Sequence, residues 1–347
     1  MRVGQESRPI VRSLAAIALV MGGLLTERSA SARDEWIVAR TPVVETARPI
    51  ELVDYVGERL LADERRRFDR ALTRRFAAFH GVAGEVETDL LPSASDGMQM
   101  ELAFPSEGGW IVILDRPFTP DTLPAADFEA LLREEGLDSI LAERARRGES
   151  AMPGREHSAR CLKAFVRVGA RADVTYARQV GQLLELVPLE DPTRVAPGTT
   201  LDLDVRYFGG RLAGAQVDLL TRGASGVTRT RAVSDERGIV TFTVPELGTH
   251  VARMVYMRRC IASDERGETI PCNDVEWETL WSSLSFASAD PTSATVTAPD
   301  MLGKHASRPH ARPRRRRVVV LVIALALVLA AALVWRRRRA SDAPIVR

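Results

Sequence analysis

Histidine and cysteine are scarce in this chain: five His and three Cys among 347 residues. Neither occurs at the close spacings that build metal or redox centres, for there is no H-E-x-x-H and no C-x-x-C. The phosphate-cradling G-x-x-x-x-G-K loop, the dinucleotide fingerprint and the G-x-S-x-G nucleophile elbow are missing too. Three histidines, His80, His157 and His250, lie between residues 33 and 287, far apart in sequence. A lone His of this kind reads as a surface or satisfied core residue, so the expectation is a non-enzymatic protein. An excess of one charge is also lacking. Lys and Arg number 48 against 46 Asp and Glu, and the basic residues gather around the C-terminal apolar run. That placement speaks for membrane topology and against a nucleic-acid partner.

Long apolar runs occur only at the two ends. Arg2, Arg8 and Arg12 precede an apolar stretch from Leu14 to Leu25, and Ala30-Ser31-Ala32 follows with the small residues a signal peptidase reads. This three-part pattern predicts a cleaved signal peptide over residues 1–32. The apolar stretch itself, at 1.5 Å rise per residue, is too short to cross a bilayer core of about 30 Å. Val318 to Trp335 contains no polar residue and is flanked by Arg314 to Arg317 and Arg336 to Arg339. Those guanidinium groups fit two headgroup layers and not a protein core, so 318–335 is expected to be a single transmembrane helix. Both flanks are basic, so the signal peptide sets the orientation: ectodomain in the periplasm, residues 336–347 a cytoplasmic tail, the whole held at the inner membrane. Ser288 to Arg317 is rich in Pro, Ser, Thr and Arg and reads as a linker.

The predicted fold class is mainly β. Leu201 to Tyr207 alternates apolar and polar residues, as a strand with one buried face does. Val217 to Leu220, Val227 to Val233, Ile239 to Val244, Thr249 to Met257 and Ser282 to Phe286 continue the series, separated by turn residues at Gly209-Gly210 and Asp235 to Gly238. This predicts an immunoglobulin-like antiparallel β-sandwich over 161–287, preceded by a mixed α+β part over 33–160. In that first part Met98 to Phe104 and Trp110 to Leu114 read as a hairpin. Pro124 opens a helix whose Phe128, Leu131 and Leu132 share one face; Gly136 interrupts it; Leu137, Ile140 and Leu141 repeat the spacing. Asp63 to Phe79 reads as a further helix.

Cys260 and Cys272 flank a turn-rich insertion, and export permits a disulfide between them. Free thiols are the alternative; a metal pair would need two more ligands, and none are local. Cys161, beside Leu162, Ala164 and Phe165, reads as a small buried hydrophobe.

Several blocks together resemble the DUF4198 family. They are Phe128 to Leu137, Gly154 to Ala164, Gly181 to Pro192, Pro197-Gly198 with Gly210 to Val217, and Trp277 to Phe286. The resemblance extends over most of Arg33 to Phe286. It implies a periplasmic accessory role in nickel or cobalt uptake beside transporter subunits, with Ni2+ or Co2+ the only cofactor in view. Metal ligands under that implication are Asp34, Glu35 and His157. Relatives carry His where this chain has Arg33 and Tyr256, which argues for a weakened site, since these ions favour imidazole and thiolate. Two readings therefore stand: an anchored binding or accessory module, and a structural or adhesive envelope domain with no small ligand.

Overall fold

The structure is a computed structural model and describes residues 34–81, 86–261, 272, 274–288 and 298–302. The expected signal peptide, the transmembrane helix at 318–335 and the tail lie outside these residues. Among the described residues no helix is long and apolar enough to cross a membrane.

The chain is mainly β, and two strands show why it forms layers. In β8 (Gly108–Leu123) Ile111 and Ile113 enter one core, while Trp110, Val112 and Leu114 enter another. In β9 (Gly154–Val168) Ala159, Cys161 and Phe165 enter the first, and Leu162, Ala164 and Val166 the second. Side chains alternate across a strand, so a strand apolar on both faces must be covered on both.

These strands sit inside a nine-stranded sheet. Its order is β14 (Gly226–Val233), β13 (Gln216–Gly223), β16 (Gly248–Arg259), β17 (Trp277–Ser288), β9, β8, β5 (Arg75–His80) and β6 (Val86–Asp89), with β2 (Val43–Val44) also on β9. A small sheet of β10 (Leu184–Pro188), β11 (Thr200–Tyr207), β12 (Gly210–Arg211) and β15 (Ile239–Thr243) covers one face, where Leu186, Leu203 and Phe242 join the cluster of Leu219, Met254 and Leu284. A second small sheet of β1 (Asp34–Ala39), β3 (Ile50–Glu58), β4 (Leu61–Arg66) and β7 (Met100–Leu102) supplies Ile37 and Leu52 to the other core, with Val112 and Leu162.

The strands expected in the second half are present and pair antiparallel with one another, but β9 makes two parallel pairings, one of them with β2. β17 runs parallel to β9, from Trp277 beside Glu156 to Ser285 beside Ala164. The expected division between 160 and 161 therefore falls inside β9, and the first half of the chain extends the sheet of the second. Two local expectations are corrected. Residues 98–104 and 110–114 do not pair as a hairpin: β7 pairs with β3, and β8 pairs with β5 and β9. Asp63 to Phe79 is not helical but carries β4 and β5. Phe76 and Phe79 mimic an i, i+3 helical pair, yet they face opposite cores.

The helical pair is as expected. Helix α1 (Ala125–Glu134) follows Pro124 and buries Phe128, Leu131 and Leu132. Gly136, at φ +68°, breaks it, and α2 (Asp138–Arg146) buries Ile140. Both pack on Val255, Met257, Trp277 and Trp281.

Part of the expected linker is anchored. Ala298 and Met301 are buried with Trp36, Val53, Tyr55 and Leu220, and the Ala62 N–H donates to the Met301 carbonyl at 2.8 Å.

Candidate functional site

Charged residues inside long buried strands are the chain's most conspicuous polar feature. β8 continues into Asp115 and Arg116, and β9 places Arg160 between Ala159 and Cys161. These positions converge beside Glu35 of β1. Arg116 donates from Nε to Glu35 Oε1 at 2.8 Å and from Nη1 to the Leu72 carbonyl at 3.1 Å and the Thr73 hydroxyl at 3.2 Å; Nη2 donates to Asp54 of β3. Glu35 Oε2 accepts from Arg66 Nη1 of β4 at 3.0 Å and lies 3.2 Å from Arg160 Nε. Glu35 and Asp54 have side chains only 1% exposed.

The electrostatics of the two carboxylates diverge. Burial raises the pKa of Glu35, but the charges of Arg116, Arg160 and Arg66 outweigh it and hold the group below its ordinary range. Asp54 is pushed well above its range by burial and then by the Glu35 charge, against the pull of Arg116. Burial likewise lowers the Arg160 pKa. Glu35 is thus the ionised centre of the cluster, and Asp54 is the carboxyl that keeps its proton more readily.

A cleft of about 290 Å³ opens over this cluster. Arg66, Arg116 and Arg160 form its charged wall, Thr119, Ser158 and Asp121 add polar groups, and Leu72 and two prolines, Pro117 and Pro120, make an apolar side. The wall is shaped by an irregularity in β8: Arg116 lies opposite Arg160 and Thr119 opposite Ser158, so two residues of β8 stand against one of β9. Such bulges bend a strand and re-aim side chains.

A second ionic cluster lies on the neighbouring strands. Arg253 of β16 reaches Asp34 Oδ1 at 2.7 Å, Asp218 Oδ2 at 3.0 Å and Glu135 Oε1. Asp218 also accepts from Arg231 Nε at 2.8 Å and from Arg229. Burial raises Asp34 and Glu135, with Arg253 opposing in both cases. The Trp281 ring joins the clusters, with the Arg160 guanidinium 4.9 Å and that of Arg253 5.9 Å from its centroid. The cavities beside Arg253 are small, about 10 and 40 Å³.

The residues expected as metal ligands do not assemble. Asp34 and Glu35 are each engaged by guanidinium groups. His157 is next to Ser158 on β9, and alternation aims it away from the face that carries Ser158 and Arg160. Among the described residues no group of three His, Cys, Asp or Glu side chains is arranged to hold a metal. The donor set is also oxygen-rich and charge-compensated, which suits Ni2+ or Co2+ poorly. The other histidines are placed structurally. His80 Nδ1 is 2.8 Å from the Gly109 carbonyl, and its ring stacks on Trp110. His250 lies between Thr221 Oγ1 at 2.9 Å and Ser288 Oγ at 2.7 Å, fully buried. The Cys260–Cys272 disulfide is formed, and Cys161 is a buried free thiol whose pKa burial raises.

Sequence reasoning missed Arg66, Arg116 and Arg160. The only available signal was an Arg between apolar neighbours, as Arg160 stands between Ala159 and Cys161; that Arg66 and Glu35 would meet it depends on how two sheets stack.

No curated protein matches this chain. Among solved structures it is similar to one described as a "tetra-tandem repeat in extending region of large adhesion protein", at 11% identity and a TM-score of 0.18, over 74% of this chain and 50% of that one. The chain thus spans about half the length of that structure, and a superposition this loose carries no argument about role. A family profile described as "Domain of unknown function (DUF4198)" matches residues 30–258, about two thirds of the sequence, and the chain belongs to that family.

Proposed function

We propose that this protein is a non-enzymatic extracytoplasmic module that seats a small ligand in the arginine-walled cleft. In this reading residues 1–32 export the chain, 318–335 hold it at the inner membrane, and the β layers over 161–287 are immunoglobulin-like. One observation carries the reading: a cleft of about 290 Å³ with three guanidinium groups in its wall, far larger than the two cavities beside Arg253. Concave sites with a few convergent polar groups and an apolar side are the usual seats of small ligands. Nickel or cobalt handling is not part of the reading, because Asp34 and Glu35 are bound to arginines.

The test is to fill the cleft. Ser158→Trp in the full-length protein should abolish binding of whatever small molecule co-purifies and is released on denaturation, as seen by mass spectrometry, while the circular dichroism spectrum stays that of the parent. Retention of the same molecule by the filled variant would remove the cleft from consideration. The second reading, a structural or adhesive envelope domain, draws on the ion pairs that Arg253 makes to three different carboxylates. It predicts that Ser158→Trp leaves every envelope phenotype of the deletion strain fully complemented.

A further inference from the structure

The donors inside the cleft are not equally committed. Arg116 spends four of its five N–H groups, on Glu35, Leu72, Thr73 and Asp54, so its main part is to hold the site together. Both oxygens of Glu35 are taken by arginines, so Glu35 cannot receive a ligand cation. Arg66 differs. It gives Nη1 to Glu35, and its Nε stands 3.6 Å from Glu64, a half-exposed carboxylate screened by water. Its Nη2 has no partner among the described residues, and its side chain is 25% exposed on the cleft wall.

The wall of the cleft also concentrates guanidinium groups. Three guanidinium groups face two carboxylates on the lining, Glu35 and Asp121. Behind that lining, Asp54 accepts from Arg116 Nη2, and Glu64 stands 3.6 Å from Arg66 Nε. A guanidinium with an unspent N–H edge recognises a planar oxyanion in bidentate fashion. The volume admits a small organic molecule. Leu72, Pro117 and Pro120 would cover a short apolar part.

We infer that the cleft binds a small organic carboxylate, with its carboxylate held by Arg66 beside Arg160 and its body against Leu72, Pro117 and Pro120. This rests on the reading of the cleft as a ligand seat and adds the ligand's chemical class. The apolar side of the cleft favours an organic acid over inorganic phosphate.

The experiment compares matched acids and amides on the purified full-length chain in detergent. Butyrate with butyramide, succinate with succinamide, and inorganic phosphate are titrated by calorimetry and by thermal shift. At least one acid should bind saturably at one per chain, ten-fold or more tighter than its amide, and weaken as salt rises. Arg66→Gln should lower that affinity at least ten-fold, and Arg66→Lys should recover part of it, since lysine keeps the charge but not the fork. Amides binding as tightly as acids would overturn the carboxylate class and leave the cleft as a ligand seat. Phosphate binding tighter than every acid would also overturn it. If neither acids nor amides bind, the inference and the ligand-seat reading fall together.

Discussion

Asp115 and His250 are buried single groups that push stability in opposite directions as pH changes. Burial lifts Asp115 to about 6, above its unfolded value near 3.9, although Gln182 donates to it at 2.6 Å. Its contribution is therefore fully present below about pH 4 and is lost as pH rises through 6. Burial lowers His250 to about 4, so the native state resists a proton that the unfolded chain accepts near pH 6.5, and stability falls as pH drops from about 6.5 to 4. The two trends offset each other in the parent protein. Asp115→Asn removes one of them. That variant should be more stable at pH 7 by up to about 3 kcal/mol, with the gain gone below pH 4, leaving a steeper acid loss between. Urea melts at pH 4, 5, 6 and 7 measure this, and a constant offset between variant and parent at all four values would contradict it.

At the scale of elements, contacts across layers set the energetics. Lys163 of β9 and Glu185 of β10 form a buried pair at 2.6 Å, with Lys163 also donating to the Leu186 carbonyl at 3.0 Å. Glu185 in turn accepts from the backbone of Val180 at 2.8 Å and Gly181 at 3.1 Å. Lys163→Met strands that carboxylate and should cost about 3–5 kcal/mol, most of it recovered by adding Glu185→Gln. A double variant no more stable than the single one would show that the backbone bonds, and not the charge, dominate. Helix α1 rests on β9 at a position where no side chain fits: a Cβ on Gly154 would lie 2.2 Å from the Phe128 ring. Gly154→Ala should cost about 1–3 kcal/mol by overpacking. Phe128→Leu in the same background should return part of that loss, readable as a rise in melting temperature.

At the scale of the whole molecule, the two ends of the described body meet. Met301 is fully buried, and its sulfur accepts from Trp36 Nε1 at 3.3 Å; Asp300 accepts from the Tyr55 hydroxyl at 3.1 Å. Residues far apart in sequence thus close one cluster, and a chain cut at 288 would expose Trp36 and Tyr55. Met301→Ala should destabilise by about 2–5 kcal/mol, as loss of a buried large side chain does. A chemical-denaturation midpoint equal to the parent's would show that 298–302 adds nothing to the body. The disulfide is a separate contribution. It closes a loop with a sequence separation of 12, worth about 3 kcal/mol by chain entropy.

Reading the sequence alone settled the elements with one buried face and strong local signals. β11 alternates cleanly because one side packs and the other meets solvent. The helical pair was legible from Pro124, Gly136 and the apolar stripe, which are local, and so was the Cys260–Cys272 pairing, because the residues are close. Tertiary structure alone decided what happens where both faces of a strand are covered. β8 and β9 are apolar on both sides, so alternation carries no direction there, and the central sheet with its parallel β9–β17 pairing could not be read from either strand. The same limit hid the cleft. Arg66, Arg116 and Arg160 stand on three strands and share no spacing; they meet around Glu35 only because β1 and β4 stack on β8 and β9. For the same reason Asp34 and Glu35 looked like available ligands, when their partners are arginines that no local pattern could supply.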